Sequence, residues 1–111
     1  MSNPASVGLS GNYEPALIAT TTTASSTTLD PNVQYMLQHN GIDESGNAQT
    51  EYIMIATDDS TAAAGSGAGK GILTTSNTVL VGPGITTLKF DASANDPTMT
   101  IFPIVYDSGR H

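Results

Sequence analysis

Apolar and polar residues alternate with a period of two in several short windows, and no window carries a convincing 3.6-residue apolar period. Residues 33–39 alternate most cleanly, with Val33, Tyr35 and Leu37 on one side and Gln34, Met36 and Gln38 on the other. Residues 51–57 are nearly all apolar, as expected of a central strand or of one that meets a partner chain. Residues 85–91 place Leu88 and Phe90 on one side and Lys89 on the other, and 98–106 form a last strand. Pro103 lies inside it and has no N–H for a ladder, which marks an edge or a bulge. Shorter strands are expected at 16–23, 71–75 and 78–81. Asp30-Pro31, Asn40-Gly41 and Gly82-Pro83-Gly84 supply turn chemistry between them. Residues 24–31 read as a polar link, 43–49 as a polar connection and 58–71 as a loop of Ala, Gly, Ser and Thr.

Six to eight short strands with frequent turns predict an all-β fold, a small β-sandwich or jelly-roll-like domain over residues 16–111. An extended N-terminal arm precedes it over residues 1–15, where Gly8, Gly11 and two prolines interrupt any regular pattern. Runs of threonine fit this reading, because β-branched side chains suit a pleated surface better than a helix. The expected core is Leu17, Val33, Tyr35, Leu37, Ile53, Ile55, Leu80, Leu88, Phe90, Ile101, Ile104 and Tyr106.

Charge narrows the function. Three basic residues stand against ten acidic ones, a formal charge of -7. Lys70, Lys89 and Arg110 are scattered, whereas nucleic-acid binding needs clustered positive charge to neutralise phosphates. The same deficit argues against anionic membrane surfaces. A basic or polar protein surface is the better-suited partner, and with only 12% of residues charged, about half the usual share, solubility rests on Ser, Thr, Asn and Gln. No cysteine is present, which removes disulfides and thiolate metal sites. Residues 1–15 hold no basic residue and no apolar run, unlike a secretory signal, and no stretch nears the roughly 20 apolar residues of a membrane helix. The expectation is a soluble chain made in a host cytoplasm.

Candidate chemistry fails at named positions. Gly65-Ser66-Gly67-Ala68-Gly69-Lys70-Gly71 approaches a phosphate-binding loop, but the first glycine would be Ala64 and the magnesium-binding hydroxyl would be Gly71. Asp43, Ser45, Asn47 and Glu51 approach a calcium loop, but Ala48 stands where the turn needs Gly and Met54 where the loop needs Glu. Asp58-Asp59 lacks a ligand series. His39 and His111 supply neither an oriented catalytic set nor enough zinc ligands, and His39 reads as a turn-flanking polar residue. No catalytic residue, metal ligand or cofactor is therefore assigned, and the chain is not read as an enzyme.

Several segments carry a resemblance: Leu29-Asp30-Pro31-Asn32-Val33-Gln34-Tyr35, His39-Asn40-Gly41, Tyr52-Ile53-Met54-Ile55-Ala56, Val79-Leu80-Val81-Gly82-Pro83-Gly84-Ile85 and Leu88-Lys89-Phe90. Over residues 16–106 the chain resembles the head decoration, or capsid cement, proteins of tailed bacteriophages. Like them it is small, cysteine-free and Thr-rich, with a polar arm before a β-sandwich. The resemblance implies a virion structural protein on the outer surface of the capsid that stabilises contacts between subunits of the major capsid (coat) protein. It also implies a homo-oligomer, a trimer before a dimer. The interface expected from the sequence is Tyr13 and Pro15 in the arm with Tyr52, Ile53, Met54 and Ile55. The competing reading is a receptor- or glycan-binding module of a phage tail fibre or spike, which would place exposed aromatics on loop tips.

Overall fold

The computed structural model describes residues 7–8, 15–20, 24–58 and 69–106. These residues form β1 (Val7–Gly8), β2 (Ala16–Ala19), β3 (Ser25–Thr28), β4 (Gln34–His39), β5 (Ile53–Ala56), β6 (Lys70–Leu73), β7 (Thr78–Val81), β8 (Thr87–Ala92) and β9 (Thr98–Tyr106), with no helix among them. Sheet I has β9 and β4 at its centre and β7 on one side. Its other outer position is shared by β2, opposite 98–101, and β1, opposite 105–106. Sheet II has the order β3-β8-β5-β6. All pairings are antiparallel.

The order follows from one folded-over hairpin. β5 pairs with β6, β4 with β7, β3 with β8 and β2 with β9, so successive strands pair outward from the connection after Ala56. Rolling that ladder brings β4 against β9 and β5 against β8, which yields the two four-position sheets of a jelly roll. Two boundaries differ from expectation. The link at 24–31 contains strand β3, whose Ser and Thr residues pair with Phe90, Lys89, Leu88 and Thr87 of β8. Within the expected arm, Val7 and Gly8 pair with Tyr106 and Val105; residues 1–6 and 9–14 lie outside the described set.

Strand phase decides which side chains are inside. Tyr35, Leu37 and His39 of β4 face Pro103, Ile101 and Met99 of β9, and all six are buried. Val79 and Val81 complete these rows from β7. Ile53, Ile55, Leu73, Leu88 and Phe90 form the opposing layer from sheet II, closed at one end by Leu29 and Val33. Two expected core residues are instead outside: Leu17 and Leu80 are 66% and 60% exposed. Leu80 sits between inward Val79 and Val81, and Leu17 stands opposite Thr100 on the outer face. Ile104 is half-buried, and the Tyr106 side chain lies outside the described set. Leu29, Leu73, Val81 and Met99 take the places not anticipated.

Pro103 sits in a central strand and yet meets the expectation of an edge locally. It faces Tyr35 on one side, while on the other the β2 pairing stops at Ile101 and the β1 pairing begins at Val105. Among the described residues no strand pairs with Pro103 on that side, where its missing N–H would otherwise be needed.

Loops are fastened by specific groups. The Thr20 N–H and hydroxyl both donate to the Pro97 carbonyl, at 3.0 and 2.6 Å. Gly82 has φ +81°, and a Cβ there would stand 2.9 Å from the Val33 carbonyl oxygen, so only glycine fits this turn. His39, expected as a turn-flanking polar residue, stands at the end of β4 and is buried. The Gly41 N–H donates to its Nδ1 at 2.9 Å, which leaves Nε2–H to donate to the Glu51 carbonyl at 2.7 Å. One ring thus ties the end of β4 in sheet I to the entry of β5 in sheet II.

The register makes a contrast testable by urea denaturation. Leu37→Ala, at a fully buried site, is expected to cost about 2–5 kcal/mol. Leu80→Ala should change stability by less than ~0.5 kcal/mol. Equal losses would contradict the assigned faces.

Candidate interaction surface

The two outer faces differ in chemistry. On sheet I, Phe102, Met36 and Leu80 form one cross-strand row, because Met36 is opposite both Phe102 and Leu80. The adjacent row runs Leu17, Thr100, Gln38 and Thr78, and the row on the other side carries Ile104 and Gln34. No side chain in these three rows is ionisable. The three residues of the central row come from three different strands, so no local window of sequence groups them.

Sheet II places Lys70 and Lys89 on either side of Ala56 on its outer face, with Asp91 opposite Met54. Asp91 is buried, and its Oδ1 has no hydrogen-bond partner among the described residues. Desolvation therefore raises its pKa above the ordinary 3.8.

The expected interface residues separate. Ile53 and Ile55 are buried between the sheets, packed in the core cluster with Leu73 and Phe90, and have no surface to offer a partner. This corrects their placement at an interface. Tyr52 is exposed just before β5, and Met54 is half-buried on the outer face of sheet II, the side away from the sheet I rows. Pro15 is exposed and lies just before β2, and Tyr13 lies outside the described residues. The apolar run at 51–57 is apolar because both of its faces are covered to different degrees, as Ile53, Ile55 and Ala56 are buried.

The loop at 43–49 is built around its acid. Asp43 Oδ1 accepts the N–H groups of Ser45 and Asn47, both at 2.9 Å, and Oδ2 accepts the side-chain amides of Asn47 and Gln49 at 3.4 and 3.3 Å. The Asn47 backbone N–H is the main cause holding the Asp43 pKa below its ordinary value; desolvation opposes it, and the Gln49 side chain, the Ser45 backbone N–H and the Asn47 side chain add to the lowering. The loop therefore turns donors toward this carboxylate, the opposite of the oxygen set a hard cation needs. Among the described residues no three His, Cys, Asp or Glu converge on a possible metal position, and no helix is long and apolar enough to cross a membrane. Lys70, from the glycine-rich segment, opens strand β6. Asp59, residues 65–68, Arg110 and His111 lie outside the described set.

Comparison with family models, curated proteins and solved structures finds no match for the chain.

The Asp91 environment predicts a pH dependence. A folded pKa above the unfolded value favours the fold while the carboxyl is protonated, and that contribution is lost as pH rises through the folded pKa. Asp91→Asn should remove this component, so the wild type is expected to lose stability relative to the variant as pH climbs above 3.8. Superimposable Tm-versus-pH curves would refute the desolvation account.

Proposed function

We propose that this chain is a non-enzymatic virion structural protein, a capsid decoration protein that attaches to the coat subunits of a phage head through the outer face of sheet I. The observation that carries the reading is the uncharged Phe102–Met36–Leu80 row, flanked by exposed Leu17, on a chain of net charge -7. An acidic protein that must bind an extended protein surface gains by keeping its contact face free of carboxylates, since each buried unpaired charge opposes docking. The resemblance to decoration proteins and a jelly-roll pairing scheme, which viral capsid domains also use, support the same reading.

Size supports an oligomer. Four strand positions about 4.8 Å apart and five residues of about 3.4 Å give a face on the order of 300 Å². Stable interfaces bury about 800 Å² per partner. A single face therefore holds weakly, and several linked copies, a trimer in the leading form, convert weak contacts into firm attachment.

Leu80→Asp places a carboxylate at the β7 end of the row without touching the core. Occupancy on purified heads, measured by co-sedimentation, is expected to fall about tenfold or more, equivalent to ~1.4 kcal/mol, with Tm unchanged. Full occupancy by the variant would refute the docking face.

A further inference from the structure

The outer face of sheet I runs into an open groove beside the loop at 40–46, with a volume of about 660 Å³. Leu17 and Ile42 are its apolar walls, 66% and 42% exposed. Asp43 and Glu44 stand at its rim, and Asn40, Thr98 and Thr100 make its floor.

The floor is internally satisfied. Thr98 Oγ1 donates to the Ile42 carbonyl at 2.9 Å, Asn40 Nδ2 donates to Thr98 Oγ1 at 3.2 Å, and Thr100 Oγ1 donates to Asn40 Oδ1 at 3.0 Å. These bonds hold the Ile42 wall against β9. The rim is anionic and partly fixed, because the four donors around Asp43 hold its carboxylate in place before any partner arrives. The described lysines lie on the outer face of the other sheet and do not line this groove.

We propose that this groove receives a segment of another protein that sets an aliphatic side chain between Leu17 and Ile42 and a Lys or Arg against Asp43 and Glu44. The inference rests on the reading of sheet I as a docking face and adds the chemistry of what meets its acidic end. Charge complementarity selects this occupant. A second copy of the chain is acidic at net charge -7, so it meets this rim with repulsion. A basic residue suits both halves of the groove at once, since its methylene stem lies on apolar walls while its head reaches the carboxylates.

The test is an amide-shift titration of the full chain with three acetylated hexapeptides: alternating Leu and Lys, alternating Ser and Lys, and alternating Leu and Glu. The Leu–Lys peptide is expected to shift Ile42, Ser45, Gly46 and Thr100 and to weaken as salt is added. Leu17→Ser and Glu44→Gln, both at exposed positions, should each lower its affinity several-fold with Tm unchanged. Three results would overturn the proposal: no response to the Leu–Lys peptide, an equal response to Ser–Lys or Leu–Glu, or shifts that grow with protein concentration alone, which indicate a second copy. The docking reading fails separately. Leu80→Asp should leave peptide affinity intact, so peptide failure with lost head occupancy overturns only this inference. Peptide success with full occupancy by Leu80→Asp overturns the docking face.

Discussion

The register of β4 between β9 and β7 is the constraint on which the rest depends. Leu37 stands opposite Ile101 on one side and Val79 on the other, and Tyr35 stands between Pro103 and Val81. A slip of one residue in β4 would send its inward residues outward and bring Met36 toward the core. Sheet II would then face the wrong side chains, since Ile53, Ile55, Leu88 and Phe90 close against the inner set. The interior and the proposed contact surface are therefore the two sides of one pairing decision.

That decision also sorts charge. The inner layer is apolar apart from groups that are fastened, such as His39 between Gly41 and Glu51. Acids gather on loops: Asp43 and Glu44 follow β4, and Asp96 precedes β9. The strands of sheet I carry uncharged residues outward, while sheet II carries Lys70, Lys89 and Asp91 outward. A chain with few charges thus presents one neutral face, one mixed face and an acidic loop end. The neutral face adjoins the acidic end through Leu17, which belongs to both.

Much of the fold is legible in the sequence, for physical reasons. Alternation sustained over 33–39 defines a phase, so Val33, Tyr35 and Leu37 fall inward both by pattern and in the structure. In four-residue strands such as β7, Thr-Val-Leu-Val, both phases present an apolar residue, and only the partner strand chooses. Leu80 and Leu17 lie outside rather than in the core for that reason. Strand β3 escapes the pattern because Ser25–Thr28 has no apolar residue; it joins the sheet through its backbone pairing with β8. Ile53 and Ile55 do not reach an interface, because an apolar run does not reveal whether a partner or the protein's own second sheet covers it. The contact row itself spans β9, β4 and β7, residues far apart in the chain, and only the register brings it together.

The most direct measurement is methyl relaxation in the presence of a soluble paramagnetic chelate, with the leucines of dilute, unbound protein as reporters. Strong broadening of Leu17 and Leu80, with Leu37, Leu73 and Leu88 spared, is the result the register requires. Protection of Leu80 with broadening of Leu37 would mean that β4 and β7 turn their other faces to the interior, and both the core and the neutral docking face would then be wrong.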